Sequence, residues 1–510
     1  MVSCCMKTAA GSTLALGAVL LIAGAVLGFK VFPDAVKEKV AEKVMLKEGT
    51  EAWNVWQKLP IPMEFKVYFF NVTNVDEILA GGTPIVNEVG PYVYNEYREK
   101  EQIDIRENYG TAAYYQRTLF EFNEEKSFPL TESDPITMVN VAMMGMIETA
   151  EIETPNLVSL LGGALGEIFV GESSIFLTET VKKVLFDGMT INCKGLAPSM
   201  ACRKIRERHP AAMREDGNGN LLFALFAYKN DSYDGYYEVK LGWRGDGPYP
   251  SVDAAKTIGK IVSWENSTKL KTWSGDRCNE IVGTDAAIFP PFLTKDSRID
   301  IFSTDLCRSL YATYSGEGNY KDIDSLIFTA KEYMLGDVTV NPDNNCYCPE
   351  KNACLFKGSL DLTACQGAPV ILTFPHFFMA SESYQKNING VSPDRKLHET
   401  FLELEPNTGY PLRGAKRVQF NILMKTVSGV PFTYDVPTAL FPILWIDEGL
   451  ELDDANVNRL KDELISILKI LEGVKWGLIG VGIVLLCVGV ILSVLIAKSA
   501  RSMTANLKGN

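Results

Sequence analysis

Two stretches of the chain, residues 8–29 and 476–497, carry no charged residue, and each is 22 residues long. About 20 apolar residues suffice to cross a bilayer as a helix. Residues 33–48 open with Pro33 and mix charges at helical spacing, which predicts a helix with proline in its first turn. Residues 458–471 place Leu460, Leu464, Ile465, Leu468 and Leu471 on one face. Both amphipathic segments abut an uncharged stretch and are expected to rest side by side above a membrane. Elsewhere the pattern alternates with the period of two that strands require. Residues 65–70 are aromatic and β-branched. Tyr114, Gln116, Thr118, Phe120 and Phe122 alternate with Tyr115, Arg117, Leu119 and Glu121. Val418, Phe420, Ile422 and Met424 alternate with Arg417, Gln419 and Asn421. Strands near both ends predict one domain assembled from distant segments.

Residues 137–210 switch to helical period. Thr154 suits an N-cap, with Pro155 at the first helical position. Leu157, Leu160, Leu161, Ala164, Leu165, Ile168 and Phe169 then recur on one face. A second short helix is predicted over 178–186, ended by Asp187-Gly188. Met138, Met143, Met144 and Met146 form an apolar cluster upstream. Methionine adapts to irregular surfaces, so the cluster fits a ligand entrance as well as an ordinary helical core.

The 510 residues are 46% hydrophobic, ample for a large core. The first uncharged stretch exceeds the apolar run of about 7–15 residues in a signal peptide, so it is read as an anchor rather than a cleaved leader. The tails hold Lys7, Lys498, Arg501 and Lys508 and no acid, which makes them cytosolic by the positive-inside rule. The division is a tail 1–7, a span 8–29, an outer domain 30–475, a span 476–497 and a tail 498–510. The protein is thus expected at the plasma membrane, crossing it twice around a large extracellular loop. The outer domain holds 46 basic and 63 acidic residues, a balance that argues against nucleic-acid partners. Cys4 and Cys5 sit beside the first span as palmitoylation candidates or plain thiols.

Six of the eleven cysteines fall within 88 residues, from Cys278 to Cys365. Their close spacings, C-x-C, C-x5-C and C-x10-C, are not those of zinc knuckles. Sequons at Asn71, Asn230 and Asn266 point to glycosylation in an oxidising, extracytosolic compartment. Disulfides are therefore expected and a metal site is not, though six cysteines allow about 15 pairings.

The same region contains Cys278-Asn-Glu-Ile-Val-Gly-Thr-Asp285, Phe289-Pro-Pro-Phe-Leu293, Leu306-Cys-Arg-Ser309, Cys346-Tyr-Cys348, Lys357-Gly358 with Asp361-Leu362 and Cys365, and Pro375-His-Phe377. In this order the motifs resemble the class B scavenger receptor family, which includes fatty acid translocase and the lysosomal integral membrane protein. Within it the chain is most similar to the insect sensory neuron membrane proteins. Further matching words are Tyr68-Phe-Phe-Asn71, Glu88-Val-Gly-Pro-Tyr92, His398, Gly409-Tyr-Pro411, Lys416-Arg-Val-Gln-Phe-Asn421 and Trp445-Ile-Asp-Glu-Gly449. The resemblance implies an α+β fold: a large antiparallel β-barrel ectodomain with a helical apex bundle and an apolar tunnel, anchored by two transmembrane helices. It makes 137–210 the apex. It implies the pairs Cys278–Cys346, Cys307–Cys365 and Cys348–Cys354, with an additional pair Cys193–Cys202 in the sensory branch.

No catalytic motif is present: there is no H-E-x-x-H, G-x-S-x-G or P-loop. A calcium loop starting at Asp216 would need Glu at its twelfth place, where Ala227 stands. His376, in an apolar setting, reads as a structural histidine. Neither catalytic residue nor cofactor nor metal is expected. The reading is a non-enzymatic receptor or transporter for long-chain lipids, with pheromone, fatty-acid-derivative or carotenoid ligands. It would also contact membrane lipids, an odorant receptor and a soluble lipid or odorant carrier. The alternatives are a scavenger receptor for carotenoids, fatty acids or lipoproteins, and an adhesion or trafficking receptor. Met143, Met144, Met146, Leu161, Leu165, Phe169 and Glu172 are the candidates for the ligand entrance. Scavenging members of the family place lysines before a Ser-Ser-x-Phe segment. Here Val170, Gly171 and Glu172 precede Ser173-Ser174-Ile175-Phe176, which implies a preference for neutral over strongly anionic ligands.

Overall fold

The computed structural model describes residues 2–243, 251–349 and 354–508, with the side chains of 2–4, 464 and 503–508 left outside the description. Its frame is a 13-stranded antiparallel sheet curled into a nearly closed barrel. In chain order its main strands are β1 (Met63–Val72), β2 (Val86–Arg106), β3 (Thr111–Phe122), β4 (Ser232–Lys240), β5 (Ile261–Trp264), β6 (Arg298–Ser303), β7 (Arg308–Tyr320), β8 (Ile323–Thr329), β9 (Phe401–Leu404), β10 (Pro411–Met424) and β11 (Ala439–Glu451). Around the wall they run β5-β4-β3-β2-β1-β11-β10-β9-β8-β7-β6. The first and last strands of the ectodomain, β1 and β11, are hydrogen-bonded neighbours, with Phe65 opposite Glu448 and Val67 opposite Ile446. This is the single domain of distant strands that the alternation predicts.

The barrel closes between β5 and β6 through Gly283 and Thr284. Ile261 N donates to Gly283 O at 2.8 Å, Thr284 N to Asp300 O at 3.1 Å, and Phe302 N to Thr284 O at 2.9 Å. Gly283 has φ +103° and no room for a side chain: a Cβ there would stand 2.2 Å from the Asp300 carbonyl carbon. Asp285, two residues on, turns inward to accept from Tyr114 Oη at 2.7 Å and pair with Lys100 Nζ at 3.1 Å. The Gly-Thr-Asp word is thus the seam of the barrel. The Phe-Pro-Pro-Phe word meets its distant partner in the same way. Leu293 N donates to Pro406 O at 2.7 Å, and Gly409 lets the Phe289 and Pro290 carbonyls approach to where a Cβ would be.

Four disulfides lock the outer domain: Cys278–Cys346, Cys307–Cys365, Cys348–Cys354 and Cys193–Cys202. Two of them close loops of 68 and 58 residues and tie residues 342–349 and 363–366 to the seam side of the barrel. Trp273 supports this knot, donating its indole N–H to Cys307 O at 2.5 Å.

Both chain ends are long helices. α1 (Val2–Val26) continues through one π-turn into α2 (Phe32–Val44). At the other end, α6 (Asp454–Leu460) continues through a π-turn, Lys461–Ile465, into a 43-residue helix (Ser466–Lys508). Asp453 caps α6 by accepting from Asn456 N at 2.8 Å. Each terminal helix is long and apolar enough to cross a membrane. The two pack backbone to backbone: a Cβ at Gly17 would stand 2.8 Å from Leu486 N, and one at Gly482 2.8 Å from Leu21 N. Their amphipathic parts also meet, as the sequence predicts, through Lys43–Glu463 at 2.7 Å, and Arg459 pairs with Glu51 of the short helix that follows α2.

Residues 137–210 supply three helices at the end of the barrel away from α6: α3 (Val141–Glu153), α4 (Val158–Ile168) and α5 (Leu196–Arg208). Asn140 caps α3, accepting from Met143 N at 3.0 Å. One expectation fails: 178–186 is not a single helix. Phe176–Thr180 is a strand paired with Pro135–Val139, and helix begins only at Val181. The run Phe176-Leu177 buries against the barrel end, and pairing with a neighbouring edge outweighs helical spacing there.

Candidate functional site

Helices α3, α4 and α5 roof the apical end of the barrel and leave a cavity of about 240 Å³. Its walls are apolar: Met146, Leu161 and Ala201 from the helices, Phe226, Phe420 and Ile443 from the barrel. An apolar lining with a few placed polar groups is the usual build of a small-molecule site. The polar groups here lie at the two ends. At the rim, Arg208 pairs with Glu153 and Lys204 with Glu207 at 2.6 Å. Arg203 lines the cavity and makes no ion pair among the described residues. At the floor stand Tyr228 and Gln366. Leu160 on the rim is 57% exposed, so the mouth is greasy as well as basic.

The structure divides the seven entrance candidates. Met146 and Leu161 line the cavity. Met143, Met144, Leu165 and Phe169 are buried in the core instead. The cavity takes the α3 positions Ala142, Gly145, Met146 and Thr149; Met143 and Met144 fall on the helix face turned inward. Glu172 stands away from the cavity beside Glu179 and Lys183, and burial with the Glu179 charge raises its carboxyl above the usual range. The cations at the mouth therefore come from α5, which weakens the electrostatic part assigned to Glu172. On α3, burial and the nearby Asp361 push Glu148 up to about 7.

Of the sequons, Asn266 is exposed on a turn with φ +56°. Asn71 and Asn230 are half-buried, their Oδ1 atoms accepting from Thr137 N at 2.8 Å and Phe120 N at 2.9 Å. Cys5 is a free, exposed thiol, whereas the Cys4 side chain lies outside the described residues. His376 is held on both ring nitrogens. Nε2 lies 2.6 Å from Glu88, Nδ1 accepts from Ser392 N at 3.0 Å, and the ring stacks on His398 at 4.5 Å. Burial and the facing His376 lower His398 to about 4.

Below the cavity the barrel interior changes character. The inner face of β2 runs Tyr94, Glu96, Arg98, Lys100, and that of β10 runs Phe420, Val418, Lys416. The charged members meet in one layer. Arg98 bridges Glu96 and Glu448, Lys416 pairs with Glu448, and Asp305 accepts from Lys229 at 2.7 Å with Lys416 at 3.6 Å. Burial raises the Glu96 carboxyl, and it raises Asp234 too, with Asp305 adding to it. Burial also opposes ionisation of Asp305 and Glu448, but the adjacent lysines and Arg98 outweigh it and hold both low.

This layer is hard to read from the chain, because residues 95–101 are polar on both faces and the two-residue contrast disappears. One signal was there: Lys416-Arg417 and Asp447-Glu448 are charge-matched doublets in distant strands, and they prove to be cross-strand partners.

A barrel on two apolar helices, with an apolar cavity under a helical roof, defines a membrane-anchored binding protein. A profile of the CD36 family matches residues 15–493, and the chain belongs to that family. The sensory neuron membrane protein 2 of Anopheles gambiae is 34% identical, over 92% of this chain and 90% of that protein. Its namesake in Manduca sexta is 35% identical over 94% and 92%. The sensory neuron membrane protein 1 of Apis mellifera is 34% identical over 89% and 87%. The family is one of membrane receptors and transporters for lipids.

Proposed function

We propose that the chain takes a long-chain apolar lipid into the apical cavity and passes it through the barrel toward the bilayer. In this reading the lipid is a pheromone or odorant, received from a soluble carrier and handed to an odorant receptor in the same plasma membrane. The cavity carries the proposal: it is apolar, open at a greasy rim and roofed by helices. Each CH₂ kept from water contributes about 0.8 kcal/mol, so a shielded route lowers the barrier a long chain meets in water. The test is saturable binding of a tritiated long-chain ester to the full chain in nanodiscs. Leu161→Trp and Ala201→Trp, which fill the cavity, are expected to weaken binding at least about tenfold. Unchanged affinity in both would remove the cavity from the mechanism. Tight, cavity-independent binding of oxidised lipoprotein would favour the scavenging role instead.

The proposed topology puts both tails in the cytosol and residues 30–475 outside, glycosylated at Asn71, Asn230 and Asn266. Glycosidase treatment of protein made in insect cells is expected to lower its apparent mass. Asn266→Gln is expected to remove one step of that shift with little effect on folding, because its side chain is exposed. No shift, together with terminal tags reached from outside intact cells, would overturn the topology.

A further inference from the structure

The charged layer calls for an explanation that barrel stability does not supply. Burying seven ionisable groups is costly, and replacing buried ion pairs by apolar residues is often neutral or stabilising. The layer is also not packed solid. Lys229 and Asp305 keep 13% and 20% of their side-chain surface. Lys416 keeps 30%.

The layer adjoins the cavity. Tyr228 lines the cavity floor and precedes Lys229 in the chain; Gln366 lines the same floor and donates to Asp305 O at 2.6 Å. Along β10 the descent from Phe420 on the cavity wall to Lys416 is four residues, about 13 Å at 3.3 Å per residue.

Hydrogen-bonding capacity at the layer is unevenly used. An ammonium has three N–H donors, and Lys229 has Asp305 as its one ion-pair partner among the described residues. On the acceptor side, Glu96 Oε2 has no hydrogen-bond partner among the described residues. Charge is close to balance. The cations Arg98, Lys229 and Lys416 face the carboxyls of Glu96, Asp234, Asp305 and Glu448, two of which burial biases toward the neutral form. Lys229 and Lys416 have donors to give, but each already faces a carboxylate, Asp305 or Glu448, that repels an added anion at the same ammonium.

We propose that this layer is the head-group site of the cavity. A long-chain lipid lies with its hydrocarbon under the helical roof and its uncharged carbonyl head, an ester or aldehyde, turned inward past Tyr228 to the N–H donors of Lys229 and Lys416. The assignment rests on the lipid-binding reading above and adds an orientation, head down and tail toward the roof. It makes Lys229 and Lys416 the residues that sort ligands by head group.

The experiment uses the full chain in nanodiscs and two photoreactive hexadecyl esters, one with a diazirine beside the carbonyl and one with it at the chain end. Labelling of the Tyr228–Lys229 or Lys416 peptides by the first, and of the Met146 or Leu161 peptides by the second, is expected. The reverse pattern, or the same peptides with both, would overturn the orientation. In parallel, binding of tritiated hexadecane, hexadecyl acetate and hexadecanoate is compared at pH 8. Wild type is expected to hold the ester about tenfold tighter than the hydrocarbon and tighter than the carboxylate. Lys229→Met is expected to erase the preference over hydrocarbon while leaving hydrocarbon binding within twofold. Equal wild-type affinity for ester and hydrocarbon, a carboxylate preference, or equal weakening of both ligands by Lys229→Met would refute the head-group site. These results leave the cavity intact, whereas loss of all saturable lipid binding would refute the parent reading.

Discussion

Gly283→Val is expected to keep the protein from the cell surface. The residue sits at the barrel seam with φ +103°, and its Cβ would collide with the Asp300 carbonyl at 2.2 Å. Both partners are backbone, so neither can rotate away, and β6 must move. Three seam hydrogen bonds then stretch, each worth about 1 kcal/mol net. Asp285, two residues on, is drawn from Lys100 and Tyr114; breaking a buried ion pair by removing one partner costs about 3–5 kcal/mol. The total exceeds about 5 kcal/mol, comparable with the entire stability of many domains. Surface biotinylation and thermal melting of the purified chain would check it. Gly171→Ala is the control: φ is +96° there, but nothing lies within 4 Å of a Cβ, so backbone strain alone, about 1–3 kcal/mol, applies. A Gly283→Val protein that melts no lower than Gly171→Ala would show that the seam is pliant.

The second large effect concerns the disulfides, whose weight is expected to follow loop length. Removing Cys278–Cys346 together, as serines, frees a loop of 68 residues, and removing Cys348–Cys354 frees one of 6. In the chain-entropy model these are worth about 4 and about 2 kcal/mol. The first double variant should therefore be retained inside the cell and melt lower, while the second reaches the surface. The long loop also holds packing together, since Tyr347 meets Trp273 edge to face and Arg308 lies 3.9 Å above the Tyr347 ring. Equal retention of the two variants, or greater damage from losing the short loop, would contradict the ranking.

What could be read from the sequence followed contrast between positions. Residues 114–122 and 417–424 alternate cleanly and are strands, and the uncharged ends are helices as expected. The Gly-Thr-Asp and Phe-Pro-Pro-Phe words could be recognised, but their physical role could not, because each acts on residues that the sequence places far away: Asp300 and Lys100 for one, Pro406 and Gly409 for the other. At the cavity, helical period put the apolar residues of α4 on one face, but the methionines of α3 showed only as an apolar cluster, which left its lining face unassigned. Met146 faces the cavity and Met143 the core, a difference decided by where β10 and β11 end. The charged layer was hidden for the opposite reason, since a strand with charges on both faces looks solvated on both.

The helices at the two chain ends run into the outer domain without a break. Residues 454–475 stand outside the uncharged stretch and form a stiff arm about 33 Å long at 1.5 Å per residue. The arm is fixed to the barrel, with Val457 buried against Tyr320, Leu412 and Leu452, while α2 buries Val40, Ala41 and Val44 in the cluster that holds Trp53 and Tyr114. Nothing in this connection acts as a swivel. A helix pair longer than the local bilayer is thick accommodates the mismatch by tilting, and here a tilt must rock the barrel as one body. The displacement grows with distance from the pivot, so the roof over the cavity, at the far end, travels furthest. The height and attitude of the mouth above the membrane are then set by the thickness of the lipid underneath it.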